Sequence, residues 1–262
     1  MIKLIASDMD GTLLDNKGNL PKDFFKVLEE LNKRNIKFIV ASGRPYNTLN
    51  ENFKPISDEL YFICDNGAFI VENSEICSVS IINKEKIRLV VQASSNIPNV
   101  HVLLCGLKSS YHMEIPDVFV NEINKYYFNT TIVNDLCDID DEIFKITICD
   151  SLISSENSFK VLDPLFRDDL LVVPSGNHWV DITNLGINKG AALEDIQKRD
   201  NISFDETMVF GDYFNDVSML SKAHYSFIME NAIDEMKQYG NYIAKSNNDN
   251  GVMEAIREYV LN

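Results

Sequence analysis

The 262-residue chain is short of positive charge. It has 24 Lys and Arg against 40 Asp and Glu, a formal net charge of −16. That balance excludes bulk attraction to nucleic acid or to an anionic membrane, and neither is an expected partner. Cysteine is sparse: Cys64, Cys77, Cys105, Cys137 and Cys149 are scattered, odd in number, and form no Cys-x-x-Cys pair. That pattern fits reduced thiols in a cytoplasmic protein better than a disulfide framework or a zinc site. No apolar run approaches the roughly 18 residues that cross a bilayer. The first residues lack a basic segment with an apolar stretch and a cleavage site, so secretion is not expected. There is no internal repeat and no low-complexity tract. What the chain does have is 45% hydrophobic residues over a length that supports a sizeable core in one or two domains.

The organising stretch is Ser7-Asp8-Met9-Asp10-Gly11-Thr12-Leu13-Leu14. It follows Ile2-Lys3-Leu4-Ile5-Ala6, an apolar run that reads as a buried strand. Alternate side chains of an extended backbone share a side, so Asp8 and Asp10 are expected to reach one small volume. Paired carboxylates repel unless a cation lies between them, and an all-oxygen set selects a hard ion such as Mg²⁺. One carboxylate could then attack phosphorus while the other protonates a leaving alcohol and deprotonates water. The plain alternative is a pair of turn formers after a strand.

Further along, strands are predicted at 36–41 and 60–64, with helices at 21–35 and from Pro45 onward. This strand–helix alternation predicts a doubly wound parallel sheet, whose ligands lie beyond the carboxyl ends of the strands. Asp8, Ser42 and Asn66 all fall at such ends. A hairpin is predicted around 72–75. From about residue 83 the pattern changes to strands at 100–105, 144–149, 170–173 and 179–182, with helices at 84–95, 116–127 and 156–166. That reads as an inserted α+β module over 84–184, within a core made of 1–83 and 185–262. The parallel pattern resumes with helices at 189–199, 217–222, 232–239 and 251–260 and strands at 206–210, 225–228 and 242–244.

Several other residues could serve chemistry. Ser42 and Gly43 offer a hydroxyl and backbone N–H groups near a helix start, where phosphate oxygens bind, although an ordinary helix cap looks the same. Lys189 opens a helix and could neutralise phosphoryl charge, or be a solvated surface lysine. Asp212, Asn215 and Asp216 gather oxygens at a strand end, as a Mg²⁺ site needs and as an Asp/Asn-rich turn also does. Arg44 either faces substrate or pairs with a surface carboxylate.

In order and placement, Asp8-x-Asp10, Ser42-Gly43-Arg44, Lys189 and Gly211-Asp212-x-x-Asn215-Asp216 resemble the four signatures of the haloacid-dehalogenase-like hydrolases across essentially the whole chain. The module between the second and third signatures resembles a type IIB cap. Asp65-Asn66-Gly67-Ala68, Val102-Leu103-Leu104-Cys105-Gly106-Leu107 and Asp181-Ile182-Thr183-Asn184 resemble the Cof-type branch, and within it the bacterial sugar phosphatases. The resemblance implies Asp8 as nucleophile and Mg²⁺ ligand. It implies Asp10 as general acid/base and a ligand through its carbonyl, Asp212 as the third protein ligand, and Asp216 as supporting the metal from behind the ligands or through water. Met9, Ser42, Gly43, Lys189 and Asn215 would bind the phosphoryl group. Ser42 stands where many members have threonine, and the hydroxyl is kept.

The expected protein is therefore a Mg²⁺-dependent phosphatase of small phosphorylated metabolites, foremost sugar phosphates, acting through an aspartyl-phosphate and existing as a monomer or weak homo-oligomer. A sugar phosphomutase and a non-catalytic phosphate-binding regulator are the rival readings. The cap is expected to choose the substrate. Its candidate contacts are His112, His178, Trp179 and Asp181, with packing or exposure as the plain alternative for each.

Overall fold

Short runs of β-branched, aromatic and aliphatic residues alternate with amphipathic helices, and the computed structural model shows what that alternation builds. It describes residues 1–54, 56–127 and 129–262. The strands are β1 Leu4–Asp8, β2 Lys37–Ala41, β3 Tyr61–Cys64, β4 Phe69–Glu72, β5 Glu75–Val79, β6 Val100–Gly106, β7 Ser110–His112, β8 Thr130–Ile132, β9 Ile143–Asp150, β10 Leu170–Pro174, β11 Trp179–Asn184, β12 Thr207–Gly211, β13 Tyr225–Met229 and β14 Tyr242–Ala244. The helices are α1 Phe24–Lys33, α2 Tyr46–Asn52, α3 Lys84–Ser94, α4 Asp117–Ile123, α5 Ser158–Phe166, α6 Lys189–Asp200, α7 Val217–Leu220 and α8 Gly251–Ile256.

The chain divides into two compact units: Met1–Ser78 with Asn188–Asn262, and Val79–Ile187. In the first, the strand order is β14-β13-β12-β1-β2-β3-β4-β5. The pairs from β14 through β3 are parallel, and β4 returns antiparallel to β3. Both faces are covered, which is why these strands read as continuous apolar runs. On one face Leu4, Ala6, Ile39, Ile63, Val209 and Ile228 pack with Ala192, Leu193 and Ile196 of α6 and Met219 and Leu220 of α7. The other face is aromatic: Phe24 of α1 meets Phe38 edge-on at 5.4 Å, and Phe210 stacks on Phe227 at 5.0 Å. α1 forms because Phe24, Val27, Leu28 and Leu31 fall on one stripe, and all four are buried.

The second unit is an α+β sandwich with strand order β10-β11-β9-β6-β7-β8. All its pairs are antiparallel except β7 with β8. Leu104, Ile146, Ile148, Val180 and Ile182 form one apolar face under Ile87 and Val90 of α3 and Leu162 of α5. Leu103, Cys149 and Trp179 lie on the other, against Phe119 and Ile123 of α4. The fold is thus a doubly wound parallel-sheet core with an inserted α+β unit. The units divide at 78/79 and 187/188, where the sequence reading places 83/84 and 184/185. The strands at 110–112 and 130–132 are additional to the sequence reading. Residues 234–239, expected as an α-helix, form a tighter 3-10 helix.

Candidate active site

The carboxyl ends of the central strands carry the chemistry. Asp8 is the last residue of β1 and lies opposite Ala41 of β2, so Ser42 stands one step beyond it on the neighbouring strand. On the other side Ser7 pairs with Phe210, which places Gly211-Asp212 at the same end of the sheet. α6 enters from the inserted unit's end of the chain. Its Asn188 caps the helix by accepting from the Ala191 N–H at 2.8 Å, so Lys189 becomes the first helical residue.

Lys189 is fully buried, with its side chain at 0% exposure. Its ammonium donates to Asp8 Oδ1 and, at 2.7 Å, to Asp216 Oδ1. Asp216 is held in turn by the backbone N–H groups of Asp212 and Tyr213, which donate to its Oδ2 at 3.0 and 3.2 Å. Thr12 Oγ donates to Asp212 Oδ1 at 2.9 Å. Gly11 makes the approach of that loop possible: its φ is +80°, and a Cβ there would lie 2.5 Å from Asp212 Oδ2. Asn231 secures the loop by donating to the Gly11 carbonyl at 2.8 Å.

Burial and the neighbouring Asp216 hold the Asp8 carboxyl well above its usual range, against the pull of Lys189. Burial likewise raises Asp212 to about 6, with the Thr12 hydrogen bond opposing and Asp216 adding. Burial alone would depress the Lys189 ammonium, but Asp216 and Asp8 outweigh it and hold it high. One carboxylate oxygen from each of Asp8, Asp212 and Asp216 lies within 4.8 Å of the others. Three carboxylates with one ammonium leave a local charge of about −2 when all are ionised, and hard oxygen donors with that excess fit a divalent cation.

Asp10 is not in this cluster. The backbone leaves the strand after Asp8, and the alternation that was expected to aim both carboxylates at one volume ends there. The Asp10 side chain, 58% exposed, is instead gripped at two points by Arg44, whose Nη2 and Nε donate at 2.6 and 2.9 Å. Of the two choices for Arg44, the structure shows a carboxylate partner. Ser42 is buried, and its Oγ accepts from the Arg44 N–H at 3.1 Å. Met9 buries its side chain and accepts from the Leu14 N–H at 2.8 Å. Asn215 is exposed and donates to Asn66 Oδ1 at 3.1 Å. Thr12, Asn66 and Asn231 were given no role in the sequence; Thr12 and Asn66 stood inside quoted motifs, but nothing in their spacing announced partners up to 220 residues away.

The candidates in the second unit divide. His112 is buried beside His101, with ring centroids 5.9 Å apart. Trp179 packs on Tyr127, and its indole N–H donates to Glu122 at 3.0 Å. Both side chains pack within the second unit. Asp181 accepts from Thr147 Oγ at 2.7 Å. The His178 ring lies 3.0 Å from the Leu152 carbonyl.

The family model for haloacid dehalogenase-like hydrolases matches residues 5–256. The chain belongs to that family and is a phosphoric monoester hydrolase. It is 32% identical to the 5-amino-6-(5-phospho-D-ribitylamino)uracil phosphatase YbjI of Escherichia coli (strain K12), covering 97% of this chain and 95% of that protein. It is 26% identical to the phosphatase of the same name, YcsE, of Bacillus subtilis (strain 168), over 99% of this chain and 96% of that one. Among solved structures, SMU.1108c from Streptococcus mutans UA159 superposes with a TM-score of 0.87 at 32% identity, covering 100% of both chains. Among the described residues, no helix is long and apolar enough to cross a membrane.

Proposed function

We propose that the protein hydrolyses small phosphorylated metabolites bearing a sugar or polyol phosphate, with Mg²⁺ and through an aspartyl-phosphate on Asp8. The observation that carries this is the buried Lys189, which ties Asp8 to Asp216 while Asp212 completes a three-carboxylate cluster. The name of the relatives YbjI and YcsE describes a phosphorylated ribityl chain, itself a polyol phosphate, which supports the substrate class.

Asp8 Oδ attacks phosphorus in line, forming an acyl-phosphate bond as the ester P–O bond breaks. Asp10 turns from Arg44 to protonate the departing alcohol, then takes a proton from the water that reopens the aspartyl-phosphate. Lys189, the Ser42 hydroxyl, the N–H groups of Met9 and Gly43 and the Asn215 amide hold the phosphoryl oxygens. Mg²⁺, held by Asp8, the Asp10 carbonyl, Asp212 and Asp216, would offset the charge of the phosphoryl oxygens and favour ionised Asp8. The inserted unit selects the leaving group.

The test is phosphate release from sugar phosphates, polyol phosphates, nucleotides and an aryl phosphate, with Mg²⁺ and with EDTA. Mg²⁺-dependent release favouring the sugar and polyol esters supports the proposal. Folded protein that releases nothing refutes it. Asp8→Asn should lower turnover by roughly 10³-fold or more while leaving the fold intact; full activity in that variant removes Asp8 as nucleophile.

A further inference from the structure

The turn after β3 takes no part in the chemistry above, yet its backbone is left-handed. Asp65, Asn66 and Gly67 have successive φ values of +48°, +55° and +107°. Left-handed backbone at a residue with a Cβ costs about 1 kcal/mol, tolerated best by Asn and Asp, and it persists where the surroundings enforce it. Here three neighbours do so. The Asn66 N–H donates to the Ser42 carbonyl at 3.0 Å, and the Asp65 N–H to the Arg44 carbonyl at 3.1 Å. Gly67 lies against the start of α6, where an added Cβ would stand 2.5 Å from the Asn188 carbonyl oxygen, one residue before Lys189. The Asn66 side chain lies over Gly43, and its Oδ1 accepts from Asn215 Nδ2 at 3.1 Å. One short turn thus touches the loops that carry Ser42–Gly43, Lys189 and Asn215.

Resting on the proposed function, we propose that Asn66 is a positioning residue. It holds the amide of Asn215 so that the second N–H of Nδ2 is presented to a phosphoryl group at Ser42–Gly43 and Lys189. Asn215 sits on the exposed segment 213–215, and a side chain in that position samples several rotamers unless a partner fixes it. The Asn66 carbonyl oxygen consumes one of the two amide N–H donors and so sets the direction of the other. The left-handed backbone at 66 is what turns this side chain back over Gly43 toward Asn215.

The experiment is a double-mutant cycle with Asn66→Gly and Asn215→Ala, read by inorganic phosphate affinity in Mg²⁺ and by kcat and KM on an aryl phosphate. Glycine keeps the positive φ and removes only the side chain, and thermal unfolding checks the fold. Each single variant should weaken phosphate binding and raise KM by about tenfold with a smaller change in kcat. The double variant should match Asn215→Ala within about twofold, because the two residues act through one contact. Phosphate affinity in Asn66→Gly equal to the parent's, or losses that multiply to about a hundredfold, overturn the proposal. Asn66→Asp keeps an acceptor oxygen and tolerates the same φ, so Asn215→Ala should still cost about tenfold in that background; no cost there overturns it as well. A parent that binds inorganic phosphate but cleaves no ester overturns the proposed function and leaves this cycle readable by affinity. A parent that binds no phosphate overturns both.

Discussion

Lys189→Met removes one charge from the centre of the candidate site while keeping nearly the same side-chain length. In the parent, the ammonium is fully buried between Asp8, 6% exposed, and Asp216, 0% exposed, with the Asp212 carboxylate close by. Methionine leaves those carboxylates facing one another without a cation. Breaking a buried pair by deleting one partner costs about 3–5 kcal/mol, because the remaining charge stays desolvated. With an unfolding slope of about 3 kcal/mol per molar urea, the midpoint should fall by about 1 M or more. The assay is urea unfolding in EDTA, so that no cation substitutes for the lost ammonium. A second variant, Lys189→Met with Asp216→Asn, removes one of the stranded charges and should recover part of the loss. Parent-like stability of Lys189→Met would refute the reasoning, since it would mean that the ammonium offsets no buried charge. Turnover reads the other side of the same group: loss of a cation aimed at the transferring phosphoryl should lower kcat/KM by about 10²–10³-fold.

Gly11→Ala places a methyl group 2.5 Å from Asp212 Oδ2 on a backbone with φ +80°. It should cost about 1–2 kcal/mol by thermal unfolding and lower turnover at least tenfold as Asp212 is displaced. Mg²⁺ at about a hundred times its dissociation constant should raise the stability of the metal-free protein by about 2.7 kcal/mol, and Asp212→Asn should blunt that gain. Burial, aided by the charge of His112, lowers His101 to about 4 from an ordinary 6.5. The unfolded chain therefore takes up a proton there that the folded one refuses, and stability is lost as pH falls from 6.5 toward 4. The expected loss is at most about 3 kcal/mol across that window, and His101→Phe should flatten the acid limb of the stability profile.

The parallel core was legible because its strands are short, apolar on both faces and separated by helices whose stripes are equally plain, as with Phe24, Val27, Leu28 and Leu31. The short strands at 110–112 and 130–132 were not, since three residues give no measurable alternation and Thr130, Thr131 and Ile132 are all exposed. At the site, Asp8, Lys189, Asp212 and Asp216 were legible as members of ordered motifs. Their mutual geometry was not, because contacts such as Lys189 to Asp8 span 181 residues and depend on how α6 meets β1. The placing of Asp10 shows the limit most clearly. Strand periodicity puts residues two apart on one face only while the strand lasts, and this one ends at Asp8.

The cluster also bears on why such a site exists at all. Replacing a buried ion network with apolar side chains of equal volume is often neutral or stabilising, so Lys189 and its carboxylates are weakly explained by stability. Burial raises Asp8 and Asp212, which means the fold works against the ionised form of both. The Thr12 hydroxyl donates to Asp212, and the N–H groups of Asp212 and Tyr213 donate to Asp216, an arrangement for keeping negative charge where it is costly. Under the proposed function a divalent cation and a phosphoryl group would remove that conflict together: the cation would neutralise the excess carboxylate charge, leaving Lys189 free to serve the anion. On a chain with a net charge of −16, an anionic ester has no long-range attraction to draw it in. Under the proposed function its recognition rests on Lys189, Ser42 and the cation, beside the buried charges of Asp8, Lys189 and Asp216.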